Sequence, residues 1–372
     1  MASGSVVLVF FISYLTTFII QNAYYLILFL RLGLSKEKPG AKGDTGISVL
    51  ICARNEYFNL KENLPPILEQ DFPDFEVVVV NYASDDDSSI LLTNLADQYP
   101  HLKVVEIKKN LNFFSGKKFP LSIGIKSSKN DIILVTDADC RPASRNWLSL
   151  MASGFTGSAE IVLGFGSYEK QNGFLNKMIR YDAVQKAIHY FSFALAGVPY
   201  MGVGRNMAYR KSLFFRNKGF TSHYRLNSGD DDLFINKVAN KWNTRIVTDP
   251  DSFTIAESRK NFRNWKLQKK RHISVPRHYR LKHQLLLGIY TMSVVLFYLA
   301  FIFLLVIKFD TFLVLAVFSL RLVVQMVIFN KCMTKLREKD LIWFVPVFEL
   351  CLLVINFAAF ISNLFSKTDK WK

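Results

Sequence analysis

Cysteine is scarce in this chain: Cys52, Cys140, Cys332 and Cys351 stand far apart among 372 residues, with no Cys-x-x-Cys pair. That scatter excludes a disulfide framework and a cysteine-built zinc site, and it suits a reducing compartment. Internal repeats and low-complexity tracts are also missing. Charge is absent altogether from residues 5–30 and 284–307. Each of these runs exceeds the roughly 20 residues a helix needs to cross a bilayer, so both are expected to span. Residues 311–330 carry only Arg321, and residues 341–365 carry only Glu349, with Pro346 inside. They form a third expected span and a candidate fourth.

Acidic residues are outnumbered, 30 against 47 basic ones, for a net charge of +17. Much of that excess flanks the apolar runs: Arg31, Lys36, Lys38 and Lys42 after the first, and Lys266, Lys269, Lys270, Arg271, Arg277, Arg280 and Lys282 before the second. Attraction to anionic lipid headgroups accounts for it, and no nucleic acid is expected as a partner. The same flanks mark the cytoplasmic side, placing residues 31–283 in the cytoplasm. The first run is too long for a signal-peptide core and lacks a basic leader, so it reads as a retained anchor. A tension remains at the other end. Four full spans would export Lys367, Lys370 and Lys372, unless residues 341–365 are re-entrant or interfacial, as Pro346 and Glu349 permit. Arg321 and Glu349 are expected to pair as a clasp within the membrane region, in preference to Arg321 meeting a lipid phosphate.

What remains alternates between two periodicities. Continuous runs rich in β-branched residues at 47–53, 75–80, 102–107 and 131–136 read as strands covered on both faces. Helical stretches at 59–70, 88–98 and 117–127 separate them. This β-α-β order predicts a mostly parallel, doubly wound sheet. Later strands are expected at 160–169 and 201–209, and helices at 174–193 and 231–240.

Chemistry-bearing residues gather where those strands end. In Asp137-Ala138-Asp139 the two carboxylates lie two apart on a strand and face the same way, at the edge where open α/β sheets bind ligands. Such a pair suits a hard divalent cation, Mg²⁺ or Mn²⁺, shared with substrate phosphates. Arg54-Asn55-Glu56 closes the first strand. Ser84-Asp85-Asp86-Asp87 closes the second, where helix capping accounts for part of the acidity. Gly116-Lys117 opens a helix whose amides and ammonium suit phosphate. Gly229-Asp230-Asp231-Asp232 puts three carboxylates at a helix start, where they stabilise the dipole or, facing Asp137, supply a base whose pKa repulsion raises. Gln268 and Arg271, three apart in a basic amphipathic stretch, share one helical face.

In this order, Ala53-Arg54-Asn55-Glu56, Ser84-Asp85-Asp86, Gly116-Lys117, Asp137-Ala138-Asp139, Gly229-Asp230-Asp231-Asp232 and Gln268-Lys269-Lys270-Arg271 resemble the family 2 membrane glycosyltransferases, relatives of cellulose, hyaluronan and ceramide-glucose synthases. The resemblance covers residues 47–272 and implies an α/β GT-A domain, Rossmann-like with a mostly parallel sheet, in the cytoplasm between N- and C-terminal transmembrane helices. The division it implies is an anchor at 1–31, a linker at 32–46, a catalytic domain at 47–260, an amphipathic interfacial helix at 261–283 and a membrane region of two or three spans at 284–372.

Position by position, the resemblance implies that Arg54, Asn55, Glu56 and Asp86 contact the nucleotide, that Lys117 contacts nucleotide or phosphate, and that Asp137 lines the donor sugar and diphosphate. Asp139, with Asp137, would hold Mg²⁺ or Mn²⁺. Asp230 is similar to the catalytic base, with Asp231 able to share the role, while Gln268 and Arg271 close over the diphosphate. Gly202, Gly204, Asn206 and His272 would border the acceptor. Departures from the family pattern are Tyr82 and Gly229, each where relatives carry an acidic residue, and His272 where they carry tryptophan. The activity implied is inverting transfer from a nucleotide-diphosphate sugar, UDP-linked by family habit, to a lipid, lipid-linked or growing glycan acceptor at the inner face of the cell membrane. A non-catalytic nucleotide-binding scaffold and a metal-dependent nucleotidyltransferase are the alternatives.

Overall fold

A computed structural model describes residues 4–36, 45–108, 116–224, 226 and 228–365. Most of the Lys36–Gly46 linker, Asn227 and the basic tail with Lys367, Lys370 and Lys372 therefore lie outside the described residues.

The chain enters as one long helix: α1 (Gly4–Ala23), a π-helical stretch (Tyr24–Phe29) and α2 (Leu30–Leu34). Then follow β1 (Ile47–Ala53), α3 (Tyr57–Leu68), β2 (Phe75–Tyr82), α4 (Ser88–Gln98), β3 (Leu102–Ile107), α5 (Lys118–Ser127) and β4 (Ile132–Asp137). All seven residues of β1 are buried, which is what a continuous apolar run between two helical layers requires. Each such Val, Leu or Ile contributes on the order of 1.5–3 kcal/mol. β1 pairs parallel with β2 and β4, and β2 parallel with β3. The register sets Cys52 beside Asp137, so the strands end together at one edge.

Beyond β4 lie β5 (Cys140–Pro142), α6 (Trp147–Ser153), β6 (Ile161–Leu163), β7 (Gly166–Tyr168), α7 (Phe174–Leu195), β8 (Met207–Arg210), α8 (Lys211–Arg216), α9 (Asp232–Val238), β9 (Thr244–Ile246), β10 (Thr254–Ala256) and α10 (Phe262–Ile273). The main sheet runs β3-β2-β1-β4-β8-β6-β9, and β8 is antiparallel to both neighbours. A small second sheet, β5-β10-β7, covers its active edge. The single strand expected at 160–169 is thus two strands in two sheets, broken at Gly164 and Phe165. There the buried Asn206 amide donates to the Phe165 carbonyl at 2.9 Å. The strand expected at 201–209 begins only at Met207, because residues 201–206 form a loop tied to the acidic helix start. β5, β9, β10 and α6 are too short for periodicity to reveal.

The last three helices are α11 (Leu281–Val306), α12 (Thr311–Lys335) and α13 (Val345–Phe365). Among the described residues, four helical stretches are long and apolar enough to cross a membrane: Gly4–Leu34, Leu281–Val306, Thr311–Lys335 and Lys339–Asn363. The expected clasp is present. Arg321 of α12 and Glu349 of α13, both buried, meet at 2.9 Å, and Gln21 and Tyr25 of the first helix, Gln325 and Tyr298 complete the shell. α13 is unbroken, with Pro346 in its first turn, where a missing N–H costs nothing. Phe348 packs on Phe174 and Tyr181 of α7, Leu350 and Val354 share an apolar groove of about 520 Å³ with Phe262 of α10, and the Asn363 amide donates to the Lys270 carbonyl at 2.8 Å. From end to end α13 follows α7 and α10.

Candidate active site at the carboxyl edge of the sheet

The loops after β1 and β2 are stitched together. Asn55, in the left-handed region at φ 54°, accepts from the Asp85 amide at 2.7 Å and donates its own N–H to Ser84 at 2.9 Å. Asp86 accepts from the amides of Tyr57, at 3.0 Å, and Ser88, at 3.1 Å. These two residues are therefore engaged in shaping the loops, whatever else they touch. Glu56 bonds to Asn59. Arg54 keeps a buried Nε with no partner among the described residues, an unsatisfied donor aimed at whatever occupies this edge.

β4 ends at Asp137, and Asp139 lies not on the strand, as its spacing suggested, but in the turn that leads to β5. Asp137 is ion-paired with the nearly buried Lys117. Burial works to raise its pKa, but Lys117 first, then Arg205 and Arg259, hold the carboxyl below its ordinary value. Asp139 lies 3.9 Å from Arg259. Asp137, Asp139 and Cys140 offer ligand atoms within 4.8 Å of one another. Burial pushes the Cys140 thiol well up, so it stays protonated and the two carboxylates are the donors that fit a hard cation.

The acidic helix start separates into three different groups. Gly229 has φ 94°, and a Cβ there would stand 2.4 Å from Leu233, so this departure from the family pattern has a steric reason. Asp231 accepts from the Gly204 amide at 2.9 Å and the Asp232 amide at 2.7 Å. Burial and the neighbouring Asp230 charge raise its pKa to about 6. Asp232 accepts from the Tyr279 hydroxyl at 2.8 Å, and burial and Asp231 push it up to about 8. The Asp230 carboxylate accepts no hydrogen bond from a described residue, which leaves its oxygens open to a ligand. Buried Lys118 donates to the carbonyls of His223, Leu226 and Ser228 at 3.0, 2.5 and 2.7 Å, fixing the chain that leads into this turn.

α10 lies over these groups. Asn261 caps it, accepting from the Asn264 amide at 2.9 Å, and Trp265, Lys269 and Lys270 are its buried residues. Gln268 Oε1 is buried without a partner among the described residues. The Arg271 guanidinium is shifted down by burial and by Arg259, and up by Asp230, so it lies within electrostatic reach of both. Two cationic groups escaped the sequence reading. Arg205 stacks 4.2 Å over the Tyr168 ring and donates to the Ser167 carbonyl at 3.3 Å, its charge felt by Asp137 and Asp139. Arg259 lies 3.9 Å from Asp139, and its charge is felt by Asp137 and, as repulsion, by Arg271. Arg205 stood inside the glycine-rich 202–206 loop, a weak signal; Arg259 gave none.

The expected acceptor residues do not all gather here. Asn206 is fully buried, donates to the carbonyls of Phe165 and Ser252 at 2.9 and 2.8 Å, and accepts from Trp147 Nε1 at 3.1 Å. With its amide spent inside the core it cannot line a pocket, which corrects that expectation. Gly202 is also buried, its missing Cβ leaving room for Leu163 at 2.9 Å. Gly204 does reach the site, through its amide to Asp231. His272 is exposed, on the α10 face next to Gln268.

A mostly parallel sheet with one antiparallel strand, a small covering sheet and an acidic pair where β4 ends define the GT-A class of α/β domain. Residues 48–216 match the family described as Glycosyl transferase family 2. It is similar to Probable glycosyltransferase YdaM of Bacillus subtilis, 29% identical over 127 residues, covering 34% of this chain and 30% of that protein. It is also similar to poly-beta-1,6-N-acetyl-D-glucosamine synthase of Staphylococcus epidermidis, 27% identical over 94 residues, 25% of this chain and 22% of that one. The chain thus aligns with less than a third of the length of either relative. Among solved structures, mannosyltransferase PcManGT from Pyrobaculum calidifontis, in complex with GDP-Man and Mn²⁺, is similar over 98% of this chain and 99% of its own, with TM-score 0.62 and 18% identity, a likeness of fold.

Proposed function

We propose that this protein is an inverting glycosyltransferase that moves a sugar from a nucleotide-diphosphate sugar to a lipid, lipid-linked or growing glycan acceptor at the cytoplasmic face of the membrane. The observation that carries the reading is the convergence of Asp137 and Asp139, the open carboxylate of Asp230 and the guanidinium of Arg271 at one edge of the sheet, from three separate stretches of chain. Asp230 accepts the proton of the acceptor hydroxyl. As that oxygen bonds to the anomeric carbon, the bond from this carbon to the diphosphate oxygen breaks, and configuration inverts. Arg205, Arg259, Arg271 and Lys117 surround the position where negative charge then grows. Arg54, Asn55, Glu56 and Asp86 hold the nucleotide. Asp139, with Asp137, fits Mg²⁺ or Mn²⁺, which when bound would neutralise diphosphate charge as a Lewis acid.

The domain division anticipated from sequence, with catalysis in 47–260, follows the same reading. α13 lies along the cytoplasmic leaflet in this scheme. Both of its ends touch helices of the α/β domain, and α10 beside it exposes Arg263 and Lys266. Three crossings then keep the basic tail on the cytoplasmic side, which removes the topological tension noted from the sequence.

The test is to incubate purified protein in vesicles with a panel of nucleotide sugars and Mn²⁺ or Mg²⁺, and to identify the released species. A nucleoside diphosphate supports glycosyl transfer; inorganic diphosphate identifies a nucleotidyltransferase; neither, across the panel, identifies a scaffold.

A further inference from the structure

α10 presents Gln268 and Arg271 to the site. Arg263 and Lys266 of this helix are exposed, whereas Trp265, Lys269 and Lys270 are buried and α13 packs alongside. One contact differs in kind. Lys269 is 3% exposed and its ammonium lies 2.6 Å from Asp182 of α7, itself 6% exposed. Lys186, one turn along α7, lies 2.9 Å from the other Asp182 oxygen. Trp265 packs beneath, with the Lys269 ammonium 5.4 Å from its ring centre.

We infer that Asp182 is a positioning residue for the transfer reaction, pinning α10 through Lys269 so that Gln268 and Arg271 face the site. The inference rests on the proposed glycosyl transfer. Successive side chains on an α-helix are separated by roughly 100° around its axis. Fixing Lys269 against α7 therefore fixes the rotation of α10, and with it the direction of Gln268 on one side and of Arg271 half a turn further on. Without the pin the helix can roll or lift, and an arginine that must meet charge developing in the transition state loses more there than in the ground state. Asp182 itself stays ionised: burial opposes this, but Lys186 and Lys269 hold its pKa well below the usual range.

Three variants test it: Asp182→Asn, Asp182→Glu, and the double variant Asp182→Ala/Lys269→Met, which removes both buried charges together and so spares the fold an unpaired one. Turnover and donor KM are measured alongside thermal unfolding in detergent and the rate of trypsin cleavage after Lys270 and Arg271. Asp182→Asn is expected to lower kcat by about 10-fold or more with donor KM changed far less, the scale of a small misplacement. Asp182→Glu should regain most of it. The double variant should recover unfolding temperature but not kcat, and should be cut within α10 faster than wild type. Recovery of kcat together with unfolding temperature, or trypsin cleavage no faster than wild type, overturns the inference. If wild-type protein transfers no sugar, the reading of the site fails separately, and the trypsin comparison alone decides whether Asp182 pins α10.

Discussion

Replacing Arg321 by methionine tests the membrane clasp most sharply, because a second change at Glu349 should restore part of the stability that the first removes. The Arg321 guanidinium donates to Gln21 at 2.9 Å, Gln325 at 2.7 Å, Tyr25 at 2.8 Å and Glu349 at 2.9 Å. Arg321→Met leaves the Glu349 carboxylate buried with two donors, Gln325 at 2.8 Å and Tyr298 at 2.7 Å. Stripping one partner from a buried pair costs about 3–5 kcal/mol. The two surviving hydrogen bonds, worth about 1 kcal/mol each, pull the figure toward the lower end. The double variant Arg321→Met/Glu349→Leu removes the stranded charge and should be about 2 kcal/mol more stable than the single one, although the Oε1 atoms of Gln21 and Gln325 still lack the Arg321 donor. Unfolding of the purified protein in mixed micelles by graded SDS measures both. A double variant as unstable as the sum of its singles would refute the clasp, since two independent sites add and a coupled pair does not.

Asp139→Ala and Asp230→Asn should each lower turnover by about 10²-fold or more, read from donor consumption by purified protein, and near-normal transfer removes that residue from its role. Stability should depend on pH through Asp232. Its pKa is raised in the fold, so its contribution is complete below the unfolded value near 4 and is lost as pH rises toward about 8. Asp232→Asn should therefore flatten the fall in unfolding midpoint between pH 5 and 8, approximately, and an unchanged slope would remove Asp232 as the cause. A cysteine placed at Lys370, in a Cys351→Ser background, should react with an impermeant maleimide only after intact cells are permeabilised; labelling of sealed cells would make α13 a true span.

The parallel half of the domain was legible because β1, β2 and β4 are mostly apolar runs buried on both faces, and the helices between them are long enough to show their period; β3, expected to be covered on both faces, is instead the edge strand and exposes Lys103 and Glu106. The second half was not. β5, β6, β7, β9 and β10 are three residues each, shorter than any reliable pattern, and which sheet each joins depends on cross-links such as Asn206. Among the acidic residues, position in sequence drew attention to all of Asp230, Asp231 and Asp232 but did not rank them. Their hydrogen bonds do: two are committed to Gly204 and Tyr279, and one is open.

The amino-acid sequence by itself determined that this is a membrane-associated α/β protein with carboxylates at strand ends, since apolar length, strand periodicity and the Asp-x-Asp spacing are local properties. Tertiary structure alone decided which distant groups meet. Arg259 and Asp182 carry no local mark of their part and Arg205 only a weak one, and α13, apolar enough to span, is drawn along α7 and α10 by contacts that form only once the chain has folded.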